Sequence, residues 1–426
     1  MSLKTLAAHP PSGKTVLLRV DYNVPLKERS GKLVVSDNSR IEASLETIKL
    51  LTKKDNKVVI ISHLGRPKPG GDNVDLSLEP TARELQKLLP ETKIQFIGKT
   101  LGAEVEAAIA HLKAGEVLVL ENLRFHEAEK KGEAAFAKRL AGLGEVFVND
   151  AFSVCHRAHA SVVGLTKHLP SLAGLALEIE FNTWTELLTK PERPFVMIIG
   201  GAKISDKVGA VQHLAEMADI VLLGGGTANN FLKAEGIEIY HSYLEESQVM
   251  KKAGKNGGRK VNYVKIAEHL LATTRADKHL VDGFIPLPKL TLPLDVVAAS
   301  SPESRSTKVV ELTKQEIDAG SDDVMYLDIG PKTVQLFAEV IEEAGTIFWN
   351  GPLGVFEQAA FAAGTRGVAE AIVKSKAKKI VGGGDTIAAL EKFGLKDKFD
   401  YVSTAGGAAL DFLSGETLPG LSPLLK

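Results

Sequence analysis

The chain has 426 residues, a formal net charge of −1 and hydrophobic residues at 44% of its positions. This length favours two domains over one, and the composition is that of an ordinary soluble globular protein. The near-neutral charge argues against a general nucleic-acid-binding protein, which usually carries a basic surplus. The single cysteine, Cys155, excludes an internal disulfide and a cysteine-rich zinc site. Without an apolar signal-peptide core or a run of about 18 apolar residues, we expect a cytoplasmic protein with no membrane contact.

Short apolar runs alternate with helical patterns along the whole chain, as is typical of parallel sheets covered by helices on both faces. In the first half, the expected strands lie in TVLLRVDYNVP, KVVIISHLG, KIQFIG, EVLVLENL and EVFVNDAF. In the second half, they lie in PFVMIIGG, DIVLLGGG, LDVVAAS, VMYLDIGP, TIFWNGP, KIVGGGDT and YVSTAGG. We therefore predict an α/β protein in which each half forms its own doubly wound parallel sheet.

A helical pattern followed by prolines marks the expected domain boundary. The pattern lies within residues 176–194, and Pro191 and Pro194 end it. The basic segment KKAGKNGGRK (251–260) is better interpreted as a solvated loop than as a functional patch. The predicted parts are an N-terminal domain, a connecting helix, a C-terminal domain and a tail that packs against one of the domains, covering residues 1–175, 176–194, 195–404 and 405–426.

Ligands of open α/β sheets bind beyond the carboxyl ends of the strands, so the residues that follow each apolar run are the first candidates for function. In the first half these residues include Asp21, Asn23, His63, Arg66, Arg124, His156 and Arg157. In the second half they are mainly glycines, together with Lys203, Lys207, Asn350, Glu357, Asp385 and Thr386. The sequence thus predicts a basic half-site and a glycine-rich half-site.

Two common nucleotide-binding motifs do not account for the glycines. Residues 8–15, AHPPSGKT, match a loose Walker pattern, but the expected strand TVLLRV follows the glycine. A phosphate loop needs the opposite order, with a strand before it and a helix after it. The pattern G-x-G-x-x-G fails at its sixth position, which is Asn229 in GGGTANN and Ile387 in GGGDTI. A Rossmann dinucleotide enzyme therefore loses its main support.

The segment IIGGAKISDK (198–207) does have the required order of apolar strand, glycine turn and helix-compatible stretch. Lys203 and Lys207 are four residues apart, which places both on one helical face near an N-terminus that favours anions. On its own, however, the segment is better explained as a tight turn with two surface lysines.

A second glycine loop, GGGDT, strengthens the functional interpretation. Its glycines let backbone N–H groups approach a phosphate, and Asp385 offers an oxygen ligand to Mg²⁺. Two roles remain open for Thr386, which either caps the following helix or contacts a phosphate.

Several basic residues of the first half lie in or beside loops near strand ends, and arginine binds carboxylate and phosphate through paired N–H groups. One such arginine usually forms a surface ion pair, whereas several together indicate a small substrate with more than one negative charge. This group consists of Arg40, Arg66, Arg124 and Arg157, accompanied by His63 and His159.

Two other chemistries are weakly supported in the same half. The HRAH pattern (156–159) has no third metal ligand of the right kind nearby. Cys155 next to His156 is better interpreted as a buried or inert thiol than as a nucleophile, because adjacent residues rarely hold catalytic geometry.

Taken together, these segments resemble the phosphoglycerate kinase family. Each motif alone is weak, but the ordered set spans nearly the whole chain and is very specific. The motifs are RVDYNVP (19–25), SHLGRP (62–67), LENLRF (120–125), DAF and HRAHAS (within 150–161), GGAKISDK (200–207), GGGTANNFLKA (224–234), WNGPLGVFE (349–357), GGGDT (382–386) and STAGG (403–407).

The resemblance implies two Rossmann-like domains joined by a helix, with the C-terminal tail returning to the N-terminal domain. It implies a glycolytic phosphoryl transfer from 1,3-bisphosphoglycerate to MgADP, which yields 3-phosphoglycerate and MgATP. A monomer is the family expectation.

Residue roles follow from the same resemblance. Phosphoglycerate binding is assigned to Asp21, Tyr22, Asn23, Arg40, His63, Leu64, Gly65, Arg66, Arg124 and Arg157. Nucleotide binding is assigned to Lys203, Lys207, Gly330, Asn350, Glu357, Gly382, Gly383, Gly384, Asp385 and Thr386, with Asp385 as the Mg²⁺ contact. We expect Arg40 and Lys203 to flank the transferring group and Lys207 to follow it to the nucleotide.

The chemistry fits this inventory, because transfer to an ionised carboxylate needs charge neutralisation and in-line placement but no general base. With half-sites on different domains, hinge closure is expected to bring them together. The sequence departs from the family at Ala405, at Ser153-Val154-Cys155, at Thr227 and over residues 236–294, which match poorly. An alanine at position 405 would be strained if that position required a positive φ.

Two rival functions remain at this stage. One is a different acid-accepting kinase on a two-domain α/β frame, which substrate choice would distinguish. The other is a non-catalytic anion-binding protein with a closing cleft, which would not need Asp385 or the paired lysines.

Overall fold

The computed structural model describes residues 2–68, 73–250, 259–274, 278–279, 287–312 and 322–426. The chain divides into two compact units, Met1–Thr185 with Thr417–Lys426, and Glu186–Glu416. The first division point falls inside the segment predicted to connect the domains. Most of the basic segment 251–260 lies outside the described residues, as does a smaller part of the region 236–294 that matches the family poorly.

The first unit is built on a parallel sheet. Its strands are β1 (Thr15–Arg19), β2 (Leu26–Arg29), β3 (Lys32–Val35), β4 (Lys57–Ile61), β5 (Ile94–Ile97), β6 (Val117–Leu120), β7 (Val146–Asn149) and β8 (Ser171–Ala173). The parallel sheet has the order β5-β6-β4-β1-β7-β8, while β2 and β3 form a separate antiparallel hairpin. All five strands predicted for this half are present in the parallel sheet.

Helices cover both faces of this sheet. They are α1 (Ser39–Ala43), α2 (Leu45–Thr52), α3 (Glu79–Leu88), α4 (Ala103–His111), α5 (Glu127–Lys131) and α6 (Ala134–Ala141). A further helix, α7 (Leu175–Thr189), begins in the first unit and ends in the second. Within β1, Val16 and Leu18 pack in the core of one face, and Leu17 packs in the core of the other. Burial on both faces explains why the strands are continuous apolar runs without alternation.

The second unit contains a parallel sheet and smaller antiparallel pieces. Its strands are β9 (Phe195–Ile199), β10 (Ile220–Leu223), β11 (Ser247–Met250), β12 (Arg259–Asn262), β13 (Lys278–His279), β14 (Leu287–Pro288), β15 (Leu290–Thr291), β16 (Asp295–Ala299), β17 (Lys308–Glu311), β18 (Met325–Ile329), β19 (Thr346–Asn350), β20 (Lys378–Gly382) and β21 (Tyr401–Val402). The parallel sheet has the order β15-β10-β9-β19-β20-β21.

Two predicted strands of this half lie outside its parallel sheet. The strands β16 and β18 pair antiparallel with each other, and β17 pairs with the other edge of β16. Val296 and Ala298 pack in a separate cluster with Leu232 and Tyr326. A short apolar run does not distinguish a buried parallel strand from a buried antiparallel one, so the sequence pattern was ambiguous here.

The helices of the second unit are α8 (Val208–Met217), α9 (Gly225–Ala234), α10 (Tyr263–Thr274), α11 (Pro331–Glu342), α12 (Ala363–Lys374), α13 (Gly384–Phe393) and α14 (Gly407–Leu413). In the part of the chain that the structure describes, no helix combines the length and the apolar character needed to span a bilayer.

The C-terminal segment differs in extent from the predicted tail. Residues 407–413 form α14, which packs on α8 within the second unit, so the segment that joins the first unit begins at Thr417. There it pairs with the N-terminus, where the Lys4 N–H donates to the Leu424 carbonyl at 2.7 Å. The Gly420 N–H donates to the Cys155 carbonyl at 2.8 Å.

Candidate functional site

The loop after β1 carries a carboxylate held by an arginine. Arg40, in α1, donates from Nη1 to Asp21 Oδ2 at 2.7 Å and to the Asn23 carbonyl at 3.2 Å. Ser153 Oγ also donates to Asp21 Oδ2, at 2.5 Å. Three predicted binding residues are thus brought together, and Ser153, which sequence reasoning noted only as a departure from the family, fixes the carboxylate that holds Arg40.

Asp21 is ionised despite its burial. Burial by itself would raise the pKa of Asp21, but a protonated His63 ring, the Arg40 guanidinium and the Ser153 hydroxyl together lower it to about 2 from an ordinary 3.8. The ring acts in this way only in acid, below its own lowered pKa, and is neutral at neutral pH. A carboxyl group whose pKa is lower in the folded state stabilises the fold above its unfolded pKa, and this contribution is lost as the pH falls through the folded pKa.

The Asp21 pKa therefore predicts an acid-dependent loss of stability. Between about pH 4 and about pH 2, the unfolding free energy of the unsubstituted chain should fall by about 2 kcal/mol more than that of the Asp21→Asn variant. This figure follows because one pKa unit corresponds to about 1.4 kcal/mol. Urea unfolding of both proteins over this pH series measures the difference, because the groups distant from Asp21 titrate alike in both. Parallel curves would contradict the assignment.

His63 follows β4 and is buried beside an arginine that sequence reasoning did not select. Nδ1 of His63 lies 3.0 Å from Nη2 of Arg19, the last residue of β1, which is 1% exposed. Burial lowers the pKa of His63 well below its ordinary value, against the opposite effect of Asp21. The signal in the sequence was a charged residue inside an otherwise apolar strand, immediately before the predicted binding loop.

Arg124 brings a further positive charge to the same edge of the sheet. Its Nη1 donates to the Gly65 carbonyl at 2.7 Å, and its buried Nε has no hydrogen-bond partner among the described residues. Burial, followed by the charges of Arg157 and Arg19, lowers the pKa of Arg124 to about 10. The first half-site therefore carries mutually repelling cations, which an anionic ligand would neutralise.

Two asparagines hold the main chain of the loop that follows β4. The Gly65 N–H donates to Asn23 Oδ1 at 2.7 Å, and the Leu64 N–H donates to Asn122 Oδ1 at 3.2 Å. Gly65 has a φ of 63°, a conformation that favours glycine. These bonds fix the loop that leads to Arg66.

The remaining predicted phosphoglycerate residues differ in exposure. Arg66 is exposed, and Arg157 is partly exposed, with its Nε donating to His156 Nε2 at 2.9 Å. The side chains of Tyr22 and Leu64 lie in the core, and the Tyr22 hydroxyl is 3.0 Å from Ser44 Oγ. For these two residues any contact with a ligand is left to the main chain.

The thiol of Cys155 is not exposed. Its side chain is fully buried, and burial raises the pKa of the thiol to about 12. Since a reactive cysteine needs an accessible thiolate, this environment favours the inert interpretation.

In the second unit, the segment IIGGAKISDK forms the end of β9, a glycine turn and the approach to α8. The Gly201 N–H donates to the Pro352 carbonyl at 2.6 Å. The Lys207 side chain lies across the turn, so that a Cβ added to Gly201 would stand 3.0 Å from Lys207 Nζ. Burial lowers the pKa of Lys207, while Asp206, Asp385 and Glu245 act in the opposite direction. The turn thus presents a half-buried ammonium group beside a carboxylate of the second glycine loop.

Lys203 is placed differently from Lys207. Its side chain is exposed, and it does not line either of the cavities described below. The turn itself is closed by Thr227, at the start of α9, whose hydroxyl donates toward the Gly200 and Gly201 carbonyls, each at 3.2 Å. The unusual threonine therefore has a local structural role.

The second glycine loop joins β20 to α13 next to the end of β19. Gly382 pairs with Asn350 in the parallel sheet, and a Cβ on Gly383 would stand 3.1 Å from Asn350 Nδ2. Gly383 has a φ of 92°, and Gly384 begins α13. The positive φ of Gly383 and its close approach to the Asn350 side chain favour glycine, and the open space beside Gly384 leaves the first turn of α13 accessible to a ligand.

The side chain of Thr386 does not cap α13, and its contact with a phosphate stays a prediction. Its buried Oγ1 accepts the Gly351 N–H at 2.7 Å, and the residue at the N-cap position of α13 is Gly383. The hydroxyl therefore ties the start of α13 to the loop that follows β19.

This bond makes Thr386→Val a test of the role of the hydroxyl. The substitution keeps the side-chain volume but leaves the buried Gly351 N–H without its partner, so we expect a loss of about 1–3 kcal/mol in unfolding free energy. Thr386→Ser, which keeps the hydroxyl, is the matched control. Urea unfolding and nucleotide titration should be measured together, since unchanged stability with a tenfold weaker Kd for ADP would instead favour a phosphate contact.

Two adjoining cavities lie around these loops. A cavity of about 530 Å³ is lined by Glu357, Asp385 and the Gly225–Gly226 pair, among others. A cavity of about 430 Å³ is lined by Lys207, Asn350, Gly383, Gly384, Asp385 and Thr386, among others. Asp385 lines both, which places it between the larger cavity and the cavity that Lys207 lines.

Two further sequence expectations concern single residues. Gly330 is buried against Asp295, whose carboxyl oxygens a Cβ would overlap, and it does not line either cavity. Ala405 has no positive φ, since among the described non-glycine residues only Ser30, Asp55 and Tyr240 have one. The strain considered for Ala405 is therefore not present.

The sequence and the fold of this chain match those of known proteins. The sequence profile described as phosphoglycerate kinase matches residues 7–416. The chain belongs to the phosphoglycerate kinase family. This confirms the resemblance and the predicted class of enzyme, a phosphotransferase with a carboxyl group as acceptor.

Individual members of the family are similar over their whole length. The phosphoglycerate kinase of Moorella thermoacetica is 44% identical over 426 residues and covers 100% of both chains. That of Herpetosiphon aurantiacus is 43% identical, covering 100% of this chain and 99% of its own. Among solved structures, the phosphoglycerate kinase from Coxiella burnetii has a TM-score of 0.80 at 35% identity, covering 99% of each chain. The fold prediction of two parallel-sheet α/β domains is thereby confirmed.

Proposed function

We propose that the chain performs the glycolytic reaction of its family, in which 1,3-bisphosphoglycerate and ADP give 3-phosphoglycerate and ATP. The observation that carries this proposal is the cationic edge of the first sheet, where the buried Nε of Arg124 has no hydrogen-bond partner among the described residues and where burial and the charges of Arg157 and Arg19 lower the pKa of Arg124. Such an arrangement is costly without a ligand of opposite charge. A three-carbon acid phosphate, with separate phosphate and carboxylate charges, is a ligand of this kind.

Within this proposal, the first unit binds and orients phosphoglycerate. Arg40 is anchored through Nη1 alone, and this leaves Nη2 and Nε for the acyl phosphate in the part of the chain that the structure describes. Asp21 remains ionised and keeps the guanidinium in position. Since the accepting carboxylate is already ionised, no side chain has to remove a proton, and charge neutralisation is the main requirement.

The second unit binds the nucleotide in the same proposal. The open first turn of α13 offers backbone N–H groups to phosphate oxygens, and Lys207 offers an ammonium group beside them. The donor set fits Mg²⁺, because this ion is commonly held by one carboxylate and by substrate phosphates, and Asp385 is an exposed carboxylate between the two cavities. When bound, Mg²⁺ supplies further charge neutralisation on the phosphates.

The test is a coupled assay with 3-phosphoglycerate and MgATP that detects 1,3-bisphosphoglycerate. We expect turnover that depends on both substrates and stops when Mg²⁺ is chelated. Acetate and glycerate replace 3-phosphoglycerate in parallel reactions, and faster turnover with either would favour a different acid-accepting kinase. Absence of Mg²⁺-dependent exchange between ADP and ATP, combined with tight anion binding, would favour a non-catalytic anion-binding protein.

Three further expectations accompany this function. We propose a monomer, which sedimentation velocity at several concentrations would test. We propose that the protein acts in the cytoplasm, where glycolytic substrates are found. The hinge closure expected from the division of the substrates between domains stays a prediction.

A further inference from the structure

The buried Arg19 at the end of β1 is engaged by four groups at once, one of which is Ser62 Oγ, 3.5 Å from its Nη1. Its Nε donates to Ser161 Oγ at 3.1 Å, and its Nη1 donates to the Val20 carbonyl. Its Nη2 lies 3.0 Å from Nδ1 of His63. A guanidinium carries five N–H donors and no acceptor, so Nδ1 of His63 must be the acceptor at this contact.

This contact decides where the hydrogen of the His63 ring resides. An accepting Nδ1 carries no hydrogen, which leaves the ring neutral with its hydrogen on Nε2. The competing arrangement would protonate Nδ1 and direct it to Asp21, but Oδ1 of Asp21 lies 3.8 Å away, beyond hydrogen-bond distance. The arginine contact is therefore the stronger influence on the ring.

A buried carboxylate compensates the charge of Arg19. Glu129 is 1% exposed, and its Oε1 and Oε2 accept the Ser161 hydroxyl at 2.5 Å and the Ser161 N–H at 2.9 Å. Ser161 therefore connects the carboxylate to the guanidinium through one shared hydroxyl. Because a buried charge is costly without a partner, this connection explains how Arg19 remains next to His63.

We propose that Arg19 is a positioning residue that holds His63 as a neutral ring with its hydrogen on Nε2, and that Glu129 keeps Arg19 in place through Ser161. The assignment of the Nε2–H group to phosphoglycerate rests on the proposed function; the state of the ring does not. A neutral donor binds an anion without adding a charge to an edge where Arg124 already experiences repulsion from other arginines.

The state of the ring can be measured in the unsubstituted protein. Nitrogen-15 NMR of histidine-labelled protein at neutral pH, with the His63 signals identified by their loss in His63→Gln, distinguishes the two tautomers and the charged ring. We expect an unprotonated Nδ1 and a protonated Nε2. A protonated Nδ1, in either the other tautomer or the charged ring, would overturn the proposal without any change to Arg19.

The role of Arg19 is tested in a background where its removal leaves no unpaired carboxylate. Glu129→Gln alone keeps Arg19 and should keep the Nε2–H tautomer. The double variant R19M/E129Q differs from it only at Arg19, and we expect its Nδ1 signal to move to that of a protonated nitrogen. Thermal unfolding of both variants establishes that they are folded, and an unchanged tautomer in the folded double variant would refute the assignment to Arg19.

Steady-state kinetics connects this result to phosphoglycerate. Relative to Glu129→Gln, the double variant should have a KM for 3-phosphoglycerate that is about ten- to a hundredfold higher, with a smaller change in kcat, because a ground-state hydrogen bond to a charged group is lost. A changed tautomer with an unchanged KM would support the positioning role and would count against the proposed phosphoglycerate site.

Discussion

We expect Arg40→Ala to lower kcat for ATP formation by about a hundredfold or more, which corresponds to about 3–4 kcal/mol of lost transition-state stabilisation. The charge that develops during phosphoryl transfer is neutralised by groups placed in advance, and Arg40 is placed by Asp21 Oδ2 at 2.7 Å and by the Asn23 carbonyl at 3.2 Å. The measurement is kcat and KM for both substrates in the coupled assay, with the Kd for ADP determined separately. That Kd should remain unchanged, because Arg40 belongs to the other unit.

Two variants separate this catalytic effect from simpler causes. Arg40→Lys keeps a positive charge but loses the paired N–H groups, so an intermediate kcat is expected. Arg83→Ala removes an exposed arginine whose partner is Glu79, and it should leave the kinetics unchanged. If Arg40→Ala turned over at the rate of the unsubstituted protein, the assigned phosphoglycerate site would be wrong. A loss of ADP binding would indicate a global structural change instead.

The sequence predicted the strands that lie in the middle of each parallel sheet because such strands are continuous apolar runs. Strand β1 is an example, with Val16, Leu17 and Leu18 fully buried on alternating faces. The short edge strand β8 and the hairpin of β2 and β3 did not stand out, since they have no comparable apolar pattern. The strands β16 and β18 were recognised as strands, but their pairing depends on contacts distant in sequence.

The candidate site was predictable to the extent that function lies in loops at strand ends. Asp21, His63 and Asp385 all follow apolar runs, and the structure places them at the corresponding edges of the two sheets. The family resemblance selected which of these loop residues to propose as ligands. This part of the prediction needed only the order of elements and the rule for parallel sheets.

The supporting residues were not predictable in the same way. Ser153 lies 132 residues from Asp21, whose carboxylate accepts its hydroxyl hydrogen. Arg19 lies 142 residues from Ser161 and is buried inside a strand, where the sequence pattern gives no indication of its partner. Such pairs are set by how distant segments pack, so local periodicity and motif spacing carry no information about them.

The other large effect is expected at the glycine turn that follows β9. We expect Lys207→Met to lower kcat by about a hundredfold or more, while the Kd for ADP increases by less than about tenfold. Lys207 is half-buried across Gly201 and lines the cavity that Asp385 shares, so its ammonium group is available to a phosphoryl group that arrives at the nucleotide. Methionine keeps most of the side-chain volume and removes only the charge, and single-turnover kinetics with bound nucleotide measures the transfer step itself.

Three further variants make this expectation specific. Lys207→Arg keeps the charge on a planar group of different shape and should restore only part of the rate. Lys233→Met removes an exposed charge on α9 that pairs with Glu238, and it should retain full activity. Lys203→Met tests the exposed lysine that the sequence paired with Lys207. If the transfer step were lost in Lys203→Met but retained in Lys207→Met, the exposed Lys203, and not Lys207, would be the lysine that follows the phosphoryl group. The burial of Lys207 over the glycine turn would then be structural, and the cavity would bind nucleotide without contributing its ammonium group to the chemistry.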